Sequence, residues 1–350
     1  KNISQIPFTE LFERAIQLAR SGSTNDESRP RGAVNDEYVR RIPAFEDWTF
    51  LSSTSSIAAL LPYTTGNATI NTQATAVSFS SDVVLTAAFT GRKIKFSENP
   101  NVYDLTFSNA TSGTISPPLS GSNNISAGAF TIFQPNYALA PDFDRFPKNG
   151  GLLLYQGGRI KQIREAQSTK EYYEKYNPSP STPELCRVVE FGTAGVPHVE
   201  LVPPSKEASV FQCDYIRRLL PLRETTAGFV DINSSGTAVT GYAGTTRFTE
   251  AQPGWYIRID AFGIGDDSEW YRISNIAHNS SLTISAFGLS GATTAAYTIS
   301  ATPQMPFGIH PAILYGAAMS LMTDQNDPQY AVMASLKTAV LIDARRLYKT

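Results

Sequence analysis

The sequence has little charge, few cysteines and no long apolar run. Charged residues make up 17% of the chain, and 29 Lys and Arg against 31 Asp and Glu give a formal net charge of −2 at pH 7. A near-neutral chain is poorly suited to hold nucleic acid by neutralising its phosphates. Because no run of about eighteen apolar residues occurs, we expect no membrane span and no membrane partner.

Cysteine and histidine are too scarce to suggest a metal centre or a catalytic site. Cys186 and Cys213 are too few for a disulfide scaffold or a zinc site, and both lie in strand-like segments, so we expect buried free thiols. His198, His278 and His310 have no serine or carboxylate nearby at a known catalytic spacing. A triad assembled from distant residues stays open, but core or surface histidines are the preferred interpretation.

Two acidic groups are further candidates for chemistry. The carboxylates within residues 260–269 could offer oxygen ligands to calcium, but their spacing fits no EF-hand loop, and a solvated hairpin turn is preferred. Asp142 and Asp144 alternate with Phe143 in an extended segment. This alternation favours outward-pointing acids and an ion pair over acid–base chemistry. The sequence therefore predicts no enzyme, no catalytic residues, no metal and no cofactor.

Apolar residues at helical spacing mark both ends of the chain and predict a helical bundle. Pro311 suits the first turn of one helix, and a second helix follows Pro328 with an apolar stripe three or four residues apart. Near the start, residues 21–32 are expected to form a polar loop, and Asn35 to cap a short helix. The side chains expected to pack in this core are Phe8, Leu11, Phe12, Trp48, Phe50, Leu336 and Val340.

The rest of the chain contains an internal repeat, whose short alternating runs separated by Gly, Asn and Ser are typical of β-hairpins. Blocks of sequence recur in the same order at a nearly constant offset of about 165 residues. Each copy, with roughly 75 residues and about six strands, has the size of a small barrel. The matching blocks begin at Gly66 and Gly228, Thr75 and Thr237, Gly91 and Gly254, Tyr103 and Tyr271, Thr114 and Thr283, Leu119 and Leu289, and Phe130 and Tyr297.

The terminal helical segments and the two repeated β-segments together predict an α+β protein. In it, two small β-barrel or sandwich-like modules are inserted into one core made of a helical bundle and an antiparallel β-sheet. Three strands after the central helix, near residues 186–191, 198–202 and 209–217, are expected to form an antiparallel meander. The predicted parts are 1–61 (N-terminal helices of the core), 62–136 (first β-module), 137–225 (central α+β part of the core), 226–304 (second β-module) and 305–350 (C-terminal helices of the core).

Several of these segments together resemble the head-to-tail connector, or adaptor, proteins of tailed bacteriophages. They are the N-terminal helix, Asp47-Trp-Thr-Phe-Leu51, Tyr137-Ala-Leu-Ala-Pro-Asp-Phe143, Val199-Glu-Leu-Val-Pro203 before Gln212-Cys-Asp-Tyr215, and the helix from Pro311. The two modules also look like β-modules inserted in some phage connectors. A minimal adaptor is mainly a helical bundle, so this chain adds the modules and the meander to that pattern.

The resemblance implies a virion protein at the head–tail junction, assembled in the host cytoplasm. It implies a homo-oligomeric ring, with a twelvefold symmetry taken from the portal protein, that contacts downstream tail or neck proteins. Genomic DNA would pass through its lumen without sequence-specific binding. By the same resemblance, the residues that dock on the portal would be Leu347, Tyr348, Lys349 and Thr350.

Two other functions fit parts of the sequence. A tail hub or baseplate protein could carry the two modules as peripheral decorations. A carbohydrate-binding protein could use the aromatic side chains of the second module, Trp255, Tyr256, Trp270 and Tyr271, as a sugar platform. Because neighbouring residues of a strand point to opposite faces, at most half of these rings can share one surface.

Overall fold

The chain forms two compact units. Unit 1 comprises Lys1–Phe50 and Leu219–Thr350, and unit 2 comprises Leu51–Arg218. The structure, a computed structural model, describes residues 5–19, 28–148, 150–156, 159–176, 179–190, 196–233, 237–242, 246–259, 270–285, 292–322 and 327–349. It is a mixed α+β protein that consists mostly of β-structure in barrel-like sheets.

The helices of unit 1 pack around one central helix. They are α1 (Phe8–Leu18), α2 (Ser28–Asp36), α3 (Ile42–Phe45), α5 (His310–Leu321) and α6 (Pro328–Tyr348), and a π-helical turn at Glu37–Arg41 joins α2 to α3. In α5 every residue is buried or half-buried, and α1, α2 and α6 contact it. A helix that is apolar all round is the kind that other helices surround.

The start of α2 differs from the sequence-based expectation. Residues 28–32, predicted as loop, form its first turns, where Pro30 needs no N–H partner. Asn35 does not cap a helix. Its side chain instead accepts a hydrogen bond from the Leu222 N–H at 2.7 Å and donates one to the Leu222 carbonyl at 3.1 Å. Sequence proximity alone cannot reveal a partner that lies so far along the chain.

The buried face of α6 is rotated from the predicted stripe. Met333, Leu341 and Ala344 are buried, and Lys337 points to the same side, where it reaches Glu37. This rotation leaves Leu336 42% exposed, so it lies outside the core of this chain. A buried carboxylate needs a cationic partner, and Lys337 faces inward because it is the partner of Glu37. A prediction from apolar spacing alone would place this lysine on the exposed side.

The other predicted core residues of unit 1 have different degrees of burial. Trp48 is fully buried; its Nε1 donates to the Ile42 carbonyl at 2.9 Å, and its ring stacks on Phe50 with centroids 5.6 Å apart. Phe50 itself and Val340 are half-buried. The predicted core residues of α1 that are buried are Phe8, Leu11 and Phe12.

A closed sheet completes unit 1. Its strand order is β16-β22-β17-β18-β21-β20-β19, and β22 also pairs with β19, which closes the barrel. The barrel encloses its own apolar core, which includes Phe248, Tyr271 and Tyr297. The strands are β16 (Glu224–Thr225), β17 (Phe229–Ile232), β18 (Ala238–Gly241), β19 (Tyr256–Ile259), β20 (Trp270–His278), β21 (Ser281–Ile284) and β22 (Ala292–Ser300).

Unit 2 contains a sheet with the same connectivity. Its order is β7-β2-β3-β6-β5-β4-β8, in which β7 and β8 occupy the positions that the two ends of β22 hold in unit 1. The strands are β2 (Ala68–Ile70), β3 (Ala76–Phe79), β4 (Arg92–Phe96), β5 (Val102–Asn109), β6 (Ser112–Ser116), β7 (Ile125–Gly128) and β8 (Phe130–Phe133).

Backbone details also recur between the two modules at the offsets found in the sequence. Positive φ angles occur at Gly66 (82°) and Gly228 (88°), at Gly91 (84°) and Gly254 (97°), and at Ala127 (52°) and Thr294 (54°). At the last pair, a side chain on the adjacent strand accepts the N–H in both modules. Thr69 Oγ1 accepts from Ala127 at 3.2 Å, and Asp231 Oδ1 accepts from Thr294 at 2.7 Å. The two modules therefore share both their strand order and this bulge.

Glycine substitution is expected to have opposite effects on stability at the bulge residue Ala127, where φ is positive, and at a regular strand position. Ala127→Gly is expected to stabilise the first module by about 0.5–1 kcal/mol, because glycine adopts positive φ without a Cβ penalty. Ala76→Gly, in the regular strand β3, is expected to destabilise it by a similar amount. Hydrogen-exchange protection of β2 and β3 measures both effects, and a loss of protection in Ala127→Gly would contradict the expectation.

The larger sheet of unit 2 has the order β1-β15-β11-β12-β13-β14-β9, and β10 also pairs with β15. The predicted meander is only partly correct: β13 pairs with β14, but β15 pairs with β1 and β11 instead. The place beside β14 that the third strand of a meander would need is occupied by β9. The elements are β1 (Ser52–Ala59), β9 (Asn136–Ala138), β10 (Phe143–Arg145), β11 (Gly151–Gln156), β12 (Arg159–Glu165), α4 (Thr169–Lys175), β13 (Leu185–Glu190), β14 (Pro197–Val202) and β15 (Ser209–Arg217).

Among the described residues, no helix is long and apolar enough to cross a membrane. The predicted single core of 1–61, 137–225 and 305–350 stays a prediction, and each compact unit contains one of the two modules.

Candidate interaction surface

An apolar stripe lies along the exposed side of α6. Val332, Leu336 and Leu347 are 56%, 42% and 74% exposed, and half-buried Val340 lies between them on the same side. Val332, Leu336 and Val340 follow one another at intervals of four residues and form one continuous face, and Leu347 lies on the same side beyond the exposed Asp343. Isolated exposed apolar residues are common, but a contiguous apolar face on a long helix is typical of an interaction surface.

The predicted docking residues lie at the end of this helix. Leu347 is the most exposed of them, whereas Tyr348 packs edge-on against Phe50 with ring centroids 5.9 Å apart. Lys349 forms a β-bridge with Trp48, and its Nζ lies 4.0 Å from Glu46 Oε2. Thr350 lies outside the described residues. Of this segment, Leu347 is therefore the side chain best placed to contact another molecule.

A buried charge network fixes α6 against the rest of unit 1. Glu37 is fully buried, and its carboxylate accepts from Lys337 Nζ at 2.5 Å and from Arg41 Nη1 at 2.9 Å. Gly316 on α5 makes room for it, because a Cβ there would lie 2.8 Å from Glu37 Cγ and closer still to the carboxylate. This arrangement determines which side of α6 faces outward.

His310 connects the start of the chain to α5. The ring is fully buried; its Nδ1 accepts from the Ile6 N–H at 3.2 Å, and its Nε2 lies 3.2 Å from the Met305 carbonyl. With Nδ1 accepting, Nε2 carries the proton and donates to Met305, so the ring is neutral. Burial lowers the pKa of His310 to about 4, although the Met305 carbonyl acts in the opposite direction.

Acidification is expected to destabilise unit 1 through His310. The unfolded ring has a pKa near 6.5 and the folded ring a pKa of about 4, so the unfolded state binds more protons between these values. The contribution of His310 to the free energy of unfolding is fully present above pH 6.5. It is lost as the pH falls from 6.5 to about 4, and the total loss is about 3 kcal/mol.

The unfolding free energies of wild type and His310→Gln, measured from pH 7.5 to 4.5, check this expectation. Their difference should shrink as the pH falls, because only the wild type contains this histidine. His278→Gln, at the exposed end of β20, serves as the control and should keep the wild-type pH dependence. A constant difference between wild type and His310→Gln would contradict the expectation.

The candidate acid–base pair, Asp142 and Asp144, is engaged in a hydrogen bond and an ion pair. Phe143 is buried, Asp142 accepts from Tyr215 Oη at 2.8 Å, and Asp144 pairs with Arg145 at 2.8 Å, as the alternation predicts. Among the described residues, no group of three or more His, Cys, Asp or Glu could hold a metal ion. The acidic cluster within 260–269 lies outside the described residues.

Both thiols are buried and have raised pKa values. Cys186 and Cys213 are free and buried, as predicted, and burial raises the pKa of Cys186 to about 12 and that of Cys213 to about 11. Because the thiolate is the reactive and metal-binding form, neither side chain is suited to nucleophilic chemistry at neutral pH.

The aromatic residues of the second module do not form one platform. Tyr271 is 6% exposed and belongs to the barrel core, and Tyr256 is 4% exposed on the opposite face of β19 from the core residues Ile257 and Ile259. Trp255 is partly buried and packs against the barrel core. The Arg258 guanidinium lies over the ring of Trp270, with its Cζ 5.2 Å from the ring centroid. The sequence-based sugar platform therefore loses half of its rings, Tyr256 and Tyr271, to burial.

No family model matches the sequence, and no curated protein matches it either. Among solved structures, the chain has a weak likeness to translation elongation factor SelB from Methanococcus maripaludis in its apo form. The sequence identity is 12% and the TM-score is 0.16. The likeness covers 72% of this chain, which spans about 63% of that factor's length. At this TM-score it carries no argument about fold or function.

Proposed function

We propose that the protein is a structural component of a tailed-phage virion, a head-to-tail connector that forms a ring between portal and tail. The observation that carries the proposal is the apolar face of α6. A helix of 21 residues that is held by a buried charge network and still exposes Leu336 and Leu347 is built to be covered by a neighbour.

The rest of the structure is compatible with such a role. We further propose that the helices and the larger sheet form the core of this connector, and that the two small barrels are modules inserted into that core. Ring formation uses a heterologous interface that closes by rotation, with twelve copies templated by the portal. Low charge suits surfaces that neighbours bury, and a mildly acidic chain lets genomic DNA pass without binding it.

Electron microscopy of the purified chain mixed with its candidate portal tests the proposal. We expect a monomeric or weakly associated protein that assembles as a twelvefold ring on the portal. Leu336→Asp should reduce ring occupancy at least tenfold, because a charge on the apolar face must be desolvated in the interface, which costs roughly 1.4 kcal/mol or more. Thr338→Asp places the same charge on a different side of α6 and serves as the matched control.

Each result bears on the proposal. A folded wild-type protein that never associates with the portal would overturn it. A stable hexamer or decamer in isolation would contradict twelvefold templating. Equal loss of assembly in Leu336→Asp and Thr338→Asp would show that the stripe is not the contact surface.

A further inference from the structure

A second surface, unrelated to α6, lies on the larger sheet of unit 2. There, β1, β15 and β11 border a concavity of about 780 Å³, a size typical of small-ligand sites. The side chains that line it include hydroxyls, an amide, a carboxylate and one aromatic ring: Thr54, Ser56, Tyr155, Glu207, Ser209 and Gln212.

A ladder of hydrogen bonds holds the polar side chains of this surface in place. Tyr155 Oη donates to Gln212 Oε1 at 3.0 Å, and Gln212 Nε2 donates to Asp214 Oδ1 at 2.8 Å. Thr54 Oγ1 donates to the same oxygen at 2.8 Å. Side chains that are already ordered lose less conformational entropy when a ligand binds, so the ladder preorganises the surface.

An apolar strip runs beside the ladder. Tyr155, Ile160 and Val210 are 54%, 62% and 60% exposed. Ile160 is directly opposite Tyr155 on β12, and the pairing of Leu154 with Phe211 places Tyr155 beside Val210. Alternation puts these three side chains on the sheet face opposite the buried core. The surface thus combines an apolar strip with a row of hydroxyl, amide and carboxylate groups.

We propose that this surface binds a neutral saccharide. A sugar ring has the same two-sided character, because its C–H groups form an apolar face and its hydroxyls surround the rim. Tyr155 would stack on the C–H face, and Gln212, Glu207 and the hydroxyls would bind the rim. This proposal is independent of the connector function and of the aromatic residues of the second module.

Other ligand classes fit this surface less well. The residues that line the concavity, all of which are described, include a carboxylate and no lysine or arginine, and the adjacent Lys206 lies 3.8 Å from the Glu207 carboxylate, so the site is poorly suited to a phosphate or nucleic acid. A peptide strand could add to the sheet only at an edge strand such as β1, where it would not cover Tyr155 or Gln212, because β15 is already paired with β1 and β11. An apolar helix would bury the polar ladder without new partners.

Titration of the full-length chain with a panel of neutral oligosaccharides, followed by saturation-transfer NMR, tests the proposal. The panel comprises gluco-, manno-, galacto- and N-acetylglucosamine trisaccharides, with inorganic phosphate as the anionic comparison. We expect at least one trisaccharide to bind at concentrations up to about 10 mM, in the range of weak specific ligands. Phosphate should not bind.

Variants identify the surface. Tyr155→Ala should weaken binding by about fivefold or more, and Tyr155→Phe should retain part of the affinity, because it keeps the ring and loses only the hydroxyl. Tyr173→Ala removes a similarly exposed tyrosine of α4 and should bind like wild type. No binding by any trisaccharide, or equal affinity of wild type and Tyr155→Ala, would overturn the proposal.

Discussion

Replacing Glu37 by alanine is expected to lower the free energy of unfolding of unit 1 by about 3–5 kcal/mol. The carboxylate is fully buried and accepts from both Lys337 and Arg41. Once it is removed, the Lys337 ammonium, on a side chain only 18% exposed, has lost the anion that offsets its desolvation. An unpaired buried charge costs far more than a surface ion pair contributes.

Tryptophan fluorescence during urea unfolding measures this change selectively. All three tryptophans of the sequence, Trp48, Trp255 and Trp270, belong to unit 1. Glu10→Ala, which breaks the exposed pair of α1 with Arg14, is the control and should cost no more than about 0.5 kcal/mol. A cost for Glu37→Ala as small as that of Glu10→Ala would contradict the expected role of the network.

A double variant separates the buried charge from the lost contacts. Lys337→Met in the Glu37→Ala background removes the stranded ammonium and keeps most of the apolar volume. Replacing a buried ion pair with apolar groups is often close to neutral, so this variant should recover about half or more of the loss. Further destabilisation by Lys337→Met would show that Lys337 contributes mainly through its packing.

The sequence predicts those features of this protein that repeat or that follow a short period. The two modules can be recognised because the glycines that need positive φ, Gly66, Gly91, Gly228 and Gly254, stand at fixed offsets. The helices at the two ends follow from apolar spacing and from Pro311. These signals are local, or they compare one segment with another, so no knowledge of tertiary contacts is required.

What the sequence could not predict depends on partners that are distant along the chain. The orientation of α6 follows from Lys337 and Glu37, which are 300 residues apart, and an apolar pattern gives no sign of that pairing. The same holds for Asn35, whose partner is Leu222, and for β15, which pairs with β1 rather than with β14. The ladder around Gln212 likewise exists only because three strands lie side by side.

Gly316→Ala is expected to destabilise unit 1 by about 2–3 kcal/mol, although alanine is the better helix former. A Cβ at this position of α5 would overlap the side chain of Glu37, and the carboxylate could move away only by leaving Lys337 and Arg41. Gly32→Ala on α2 provides the matched control. No atom lies within 4 Å of the Cβ it would add, so the helix propensity of alanine should stabilise the unit by about 0.5–1 kcal/mol.

The effect of Gly316→Ala should change sign when Glu37 is absent. In the Glu37→Ala background the added methyl group enters space that the carboxylate has vacated, so only the gain in helix propensity remains, about 0.5–1 kcal/mol. Urea unfolding of the four proteins of this cycle, followed by tryptophan fluorescence, measures the coupling directly. If Gly316→Ala costs the same with and without Glu37, the glycine is required for another reason, and the close approach of α5 to Glu37 does not determine the packing of unit 1.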